Sequence, residues 1–156
     1  MVSRPLDFDD DEATWPGSNR ATRILVAEDD DDLRMLMGAI LRLDGHAVTE
    51  VRTGNELLST LATPDGMNAG PDGGFQLVVT DVRMPGFSGL DVVERMRNCG
   101  CLTPVIAVTS FPDPGLHRLA DRLEALLVPK PFSLEAFTQA VRFFLELQAL
   151  PAGARP

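Results

Sequence analysis

The chain has 156 residues, 44% of them hydrophobic, which suits one compact unit with residues to spare at its ends. Its 23 acidic residues outnumber 14 Lys and Arg, leaving a formal charge of −9 with no basic block, so direct binding to nucleic acid or to acidic membrane surfaces is not expected. No apolar run approaches the ~18–20 residues of a membrane span, and the acidic start Met1–Asn19 lacks the basic-then-apolar order of a secretory signal, which points to the cytoplasm.

Residues 1–21 read as a disordered acidic tail; Phe8 and Trp15 would be its anchors in the alternative of a short docking segment. Ile24–Ala27 is a short apolar run of the kind a buried parallel strand needs. Leu33, Leu36, Met37, Ile40 and Leu41 then follow helical spacing, with Asp30 or Asp31 as N-cap and Gly45 closing the helix. Ala47–Val51 is a second strand. Thr53-x-x-Glu56 resembles a capping box and opens a helix with Leu57, Leu58 and Leu61 on one side. Thr63–Gly74, rich in Pro, Gly, Asn and Asp, reads as a flexible surface loop.

Phe75–Thr80 is the third strand, and Ser88-x-x-Asp91 opens a helix that turns Leu90, Val93 and Met96 inward. Cys99 and Cys101 follow in C-x-C spacing. No other Cys and no suitably placed His complete a metal site, so they read as reduced, ordinary small residues flanking a turn. Val105–Thr109 is the fourth strand. Asp113 and Pro114 supply an N-cap and an N1 proline for a helix carrying Leu116, Leu119, Ala120 and Leu123. Ala125–Val128 is the fifth strand. Ser133 caps the last helix, to about Leu150, with Phe132 and Phe137 as a hydrophobic staple and Leu134, Phe137, Val141, Phe144 and Leu145 as its core stripe. Phe143 and Leu147 lie off that stripe; they read as a widened buried stripe or as an exposed patch for a partner or a homodimer, and the exposure of Phe143 decides. Residues 151–156 form a short C-terminal tail.

Strands alternating with helices imply a parallel sheet covered on both faces, and such sheets bind ligands outside the carboxyl ends of their strands. Those ends carry Glu28-Asp29-Asp30, Thr80-Asp81, Thr109-Ser110 and Lys130-Pro131. Glu28, Asp29 and Asp81 repel one another unless a cation sits between them. Hard oxygen donors without His or Cys favour Mg²⁺ or Mn²⁺. Lys130 supplies a point charge and Thr109 a hydroxyl, a set suited to receiving a phosphoryl group, and an Asp carboxylate is a competent nucleophile toward phosphorus. His46 and His117 read as solvated histidines.

Ile24-Leu-Val-Ala-Glu-Asp-Asp30, Val79-Thr-Asp-Val-Arg-Met-Pro-Gly86, Val108-Thr109 and Lys130-Pro131-Phe132 resemble, in order and spacing, the four signature segments of the receiver domain of two-component response regulators. The resemblance covers about residues 22–148, and places a receiver domain at 22–150. It implies a flavodoxin-like doubly wound α/β fold, a five-stranded parallel sheet of order 2-1-3-4-5 with five helices. It implies Asp81 as phosphoacceptor and Glu28, Asp29, Asp81 and the Arg83 backbone carbonyl around Mg²⁺. Thr109 would be the switch hydroxyl, Lys130 the phosphate-binding lysine, and Lys130-Pro131 a cis peptide. The implied role is a phosphoprotein of a phosphorelay, not a turnover enzyme. The phosphoryl group would come from a histidine kinase or phosphotransfer protein. The signal would leave by partner binding, through the family's fourth helix, fifth strand and fifth helix, or by onward transfer. No output domain is recognised in the sequence, so a stand-alone receiver is expected.

Three positions depart from the family pattern. Leu127 stands where receivers usually carry an aromatic, Pro129 removes a backbone donor beside the site lysine, and the usual glycine before the fifth strand is replaced around Leu123-Glu124. Arg83 and Phe111 occupy positions expected to shield the acyl phosphate from water. Two other readings compete: a pseudo-receiver that never takes a phosphoryl group, and an aspartyl-intermediate phosphatase. The second needs an Asp two residues after the nucleophile, where this chain has Arg83.

Overall fold

The computed structural model describes residues 21–67 and 74–149. The elements in chain order are β1 (Arg23–Ala27), α1 (Asp31–Leu43), β2 (Ala47–Val51), α2 (Gly54–Leu61), α3 (Pro64–Met67), β3 (Leu77–Asp81), α4 (Gly89–Asn98), β4 (Val105–Thr109), α5 (Pro114–Arg122), β5 (Ala125–Pro129) and α6 (Leu134–Ala149). The five strands are parallel and run in the order β2-β1-β3-β4-β5, as the resemblance implies. Successive strand residues point to opposite faces, so one alternation feeds two cores. Leu25, Ala27, Val78, Val105 and Ala107 pack with Leu57, Leu90, Met96 and Ala120 on one face. Ile24, Val26, Val79, Ile106 and Val108 pack with Met37, Leu41, Phe137 and Val141 on the other. Burial on both faces explains the unbroken apolar runs Ile24–Ala27 in β1, Leu77–Val79 in β3 and Val105–Val108 in β4.

Local capping follows the sequence closely. Asp30 accepts from Leu33 N–H, and Gly45, at φ +90°, ends α1. Ser88 and Asp91 form a complete capping box, and Asp113 accepts from Leu116 N–H with Pro114 at the first turn. At α2 the box is displaced: Thr53 accepts from Glu56 N–H, but the Glu56 carboxylate accepts from Arg52 N–H, one residue before the cap. Ser133 accepts from Ala136 N–H, and the Phe132 and Phe137 rings stack at 5.5 Å. Cys99 and Cys101 are free thiols, exposed and buried respectively.

Three expectations change, and the question left open at Phe143 is decided. The loop after α2 is not wholly irregular: Pro64–Met67 forms the one-turn helix α3, a sixth helix beside the five expected. There a Cβ on Gly66 would meet the Thr60 carbonyl oxygen at 2.3 Å. Leu36 and Leu134, expected in core stripes, are exposed. The buried face of α1 is Arg34, Met37, Gly38 and Leu41, and a guanidinium takes the place expected for leucine. Phe143 is 56% exposed, which makes it part of a surface patch rather than of a wider core stripe. The tail residues Phe8 and Trp15, residues 68–73 and residues 150–156 lie outside the described residues.

The β5 edge accommodates two of the three unusual positions. Lys130 N–H turns inward to the Thr109 carbonyl at 2.7 Å, so the missing amide of Pro129, one residue earlier, falls on the open side of the edge strand. Glu124 enters β5 at φ +56°, the one non-glycine with positive φ among the described residues. A Cβ in that region costs on the order of 1–2 kcal/mol, partly offset by the greater unfolded freedom of glycine. Glu124→Gly is therefore expected to raise stability by up to about 1 kcal/mol, read as a higher urea midpoint at unchanged slope.

Candidate functional site

Register brings the chemistry together. Ala27 pairs with Thr80, Asp81 with Val108 and Thr109 with Pro129, so the residues just past each strand emerge side by side. The Glu28, Asp29 and Asp81 carboxylates lie within 4.8 Å of one another. Glu28 is 0% exposed and Asp81 6%, whereas Asp29 is open to solvent. Lys130 reaches across from the end of β5. Its Nζ donates to Glu28 Oε2 at 2.9 Å and to Asp81 Oδ2 at 3.1 Å. The Lys130-Pro131 peptide is cis, as the resemblance implies.

Two backbone amides complete the frame. Asp30 N–H donates to Glu28 Oε1 at 3.2 Å, and Arg83 N–H donates to Asp81 Oδ1 at 3.3 Å. The Arg83 amide was not foreseen from the sequence; the carbonyl of the same residue was the expected group. Thr109 is buried at the end of β4, where its hydroxyl oxygen accepts from Phe111 N–H at 3.1 Å. The Arg83 guanidinium lies over the Phe111 ring, 4.5 Å from its centroid, joining the loops that follow β3 and β4. Beside Lys130 opens a largely apolar hollow of about 430 Å³, lined by Leu33, Leu36, Phe132 and Leu134 among others. The two exposed leucines that sequence periodicity assigned to the core thus flank the site instead. His46 is half-buried and lines a hollow with Asp44 and Arg142 at the opposite end of the sheet, and burial holds its pKa below the ordinary imidazole value.

The electrostatics follow from crowding. Burial raises the Glu28 pKa to about 7; the Lys130 bond works against this, and the Asp81 charge adds to it. Burial disfavours the Lys130 ammonium, but its bonds to Glu28 and Asp81 prevail and its pKa stands above the usual lysine value. The donor set fits a divalent cation: three convergent carboxylates, all oxygen, no His or Cys, and one member whose ionisation burial disfavours.

An acid whose folded pKa is raised stabilises the fold below its unfolded pKa, and that contribution is lost as pH rises through the folded pKa. For Glu28 the window runs from 4.5 to about 7. In metal-free buffer, stability measured by urea unfolding should fall between pH 5 and pH 8 by at most on the order of 3 kcal/mol from this group. Glu28→Gln should remove that part of the slope, and saturating Mg²⁺ should flatten it in the wild type.

Comparison with known proteins agrees with the geometry. The response regulator receiver domain family matches residues 24–142. The chain is 35% identical over 124 residues to the uncharacterized transcriptional regulatory protein YkoG of Bacillus subtilis, covering 76% of this chain and 49% of that protein. It is 35% identical over 126 residues to the response regulator protein PmrA of Pseudomonas aeruginosa, covering 77% and 51%. The non-phosphorylated HemR receiver domain from Leptospira biflexa superposes with a TM-score of 0.69 at 29% identity, covering 80% of this chain and 94% of that one. The chain spans about half the length of the curated relatives it matches. With its family signature, its sheet order and its strand-end acids all in accord, the chain belongs to the response regulator receiver domain family.

Proposed function

We propose that this chain is a phosphoryl-accepting switch of a two-component phosphorelay in the cytoplasm, with Asp81 as the acceptor. The observation that carries this reading is the setting of Asp81: nearly buried at the end of β3, bonded to Lys130 and to Arg83 N–H, with Glu28 and Asp29 within 4.8 Å. A carboxylate oxygen of Asp81 attacks phosphorus, its new O–P bond forms as the bond to the leaving nitrogen breaks, and the product is an acyl phosphate. Glu28, Asp29 and Asp81, with the Arg83 carbonyl, would hold Mg²⁺, which when bound neutralises charge on the transferring group. Lys130 binds a phosphoryl oxygen and Thr109 donates its hydroxyl to another.

The donor is a phosphohistidine on a histidine kinase or phosphotransfer protein. The apolar hollow next to Lys130 suits a helix carrying that histidine, since Leu36 and Leu134 expose apolar surface at its rim. The output surface is the α5–β5–α6 face, the family's fourth helix, fifth strand and fifth helix. Exposed Phe143 on α6 suits a protein partner or a second copy of the chain. In this reading the chain carries a signal and turns over no substrate of its own.

Incubation with acetyl phosphate and Mg²⁺ should add one phosphoryl group to the intact mass of the wild type and none to Asp81→Ala. Equal gain in the mutant would sink the assignment, and no gain in either would favour the pseudo-receiver reading.

Arg83 and Phe111 act as a cover over the acyl phosphate. Neither is held by burial, so their contact is worth about 0.5–1 kcal/mol, or a factor of roughly two to five. Arg83→Ala and Phe111→Ala should each speed loss of the phosphoryl group by about that factor, with the double variant no faster than either alone. Decay rates unaltered by both changes would remove the cover from the proposal.

A further inference from the structure

Among the described residues Arg34 is the one buried arginine, 5% exposed, one turn into α1. A cation withdrawn from water needs partners for its donors. Its Nη2 donates to Asp31 Oδ1 at 2.5 Å, and its Nε lies 3.7 Å from Glu50 Oε1. Alternating charges continue outward from both: Glu50 to Arg42 at 2.8 Å, and Asp31 to Arg52 at 3.7 Å. These contacts hold the guanidinium from its outer side. The remaining one points the other way. Nη1 donates to the backbone carbonyl of Glu28 at 3.0 Å.

That carbonyl belongs to the peptide joining the two acidic residues of the site. Glu28 N–H still donates to the sheet, at the Val51 carbonyl. Beyond it the chain leaves β1, and Arg34 supplies the donor for the Glu28 carbonyl. The Glu28 side chain is tied separately, by Asp30 N–H and by Lys130. Glu28 points inward and is fully buried, while Asp29 is exposed, yet both carboxylates come within 4.8 Å of Asp81. Rotating the joining peptide would swing Asp29 away from the other two.

We propose that Arg34 is a positioning residue of the acidic site: by holding the Glu28 carbonyl it sets the spacing of the Glu28, Asp29 and Asp81 carboxylates, and with it their affinity for a divalent cation. The inference rests on the reading of those carboxylates as a cation site. Lysine cannot take over the role, because a single ammonium does not reproduce a fork that bonds the carbonyl and Asp31 at once.

The test is calorimetric titration with Mg²⁺ alone, at a temperature where circular dichroism shows every variant folded. Arg34→Lys should raise the Mg²⁺ Kd by about tenfold or more, as expected when a group supporting metal ligands is lost. Asp31→Asn frees the guanidinium from the outside and should raise Kd by about two- to fivefold. Asp32→Asn makes the same charge change one residue on, at an exposed position, and should move Kd less than Asp31→Asn does. A merely structural Arg34 would lower the metal-free melting temperature and leave the Kd of the folded protein alone; that result, or equal shifts for Asp31→Asn and Asp32→Asn, would overturn the proposal. Should Arg34→Lys not fold, the Asp31 and Asp32 pair decides by itself. Absence of Mg²⁺ binding in the wild type would overturn the cation-site reading instead, which the variants then inherit.

Discussion

One ammonium between two carboxylates organises this molecule. Like charges 4.8 Å apart repel by on the order of 3–4 kcal/mol even at an effective dielectric of 20. Glu28 and Asp81 are both nearly buried, so solvent relieves little of that. Lys130 lies 2.9 Å from one carboxylate and 3.1 Å from the other, and it is the single side-chain cation bonded to either carboxylate among the described residues. The site is thus tolerable without metal, and burial first, then the Asp81 charge, raise the Glu28 pKa in spite of Lys130. A group that brings positive charge is welcome here, whereas a phosphoryl group brings negative charge and needs the same neutralisation again.

The sheet makes this concentration of charge structurally affordable. Its two apolar cores lie along the strands, and the charged groups of the site gather at their carboxyl ends. Parallel register then delivers residues that are distant in sequence to one rim. Lys130 is 102 residues from Glu28 and 49 from Asp81. The site draws on four strand ends, and the turns after β1, β3 and β4 must be held by something other than the ladder. Asp30 N–H, Arg83 N–H, Phe111 N–H and the Arg34 guanidinium do this, each within a few residues of the group it steadies.

Much of this was legible in the sequence because the same physics that builds it leaves a pattern. Strands buried on both faces are runs such as Ile24–Ala27 and Val105–Val108, and charged residues that follow such runs at once have few explanations other than a site. The caps at Ser88 and Asp113 were legible because they need particular side chains at particular spacings. What was hidden depends on partners, not periods. Leu36 and Leu134 satisfy a helical stripe, but apolar spacing does not say whether core or an open hollow lies opposite. Arg34 occupies a buried position that an apolar template skips. The Arg83 amide carries no residue-type signal at all, since every residue but proline has one. The contact of Arg83 with Phe111 joins positions the family resemblance had paired, but only coordinates show ring and guanidinium stacked.

Pro129 has an effect on the surroundings of the protein as well as on its own strand. β5 is an open edge, and an open edge is a template on which a foreign strand can add itself, amide by amide. At Pro129 that template has no outward donor, one residue short of Lys130. A strand docking along β5 would lose its pairing before it reached the acidic rim. Molecules that approach this end of the domain must therefore recognise it by shape and side chains, and the acidic rim stays outside the reach of sheet extension.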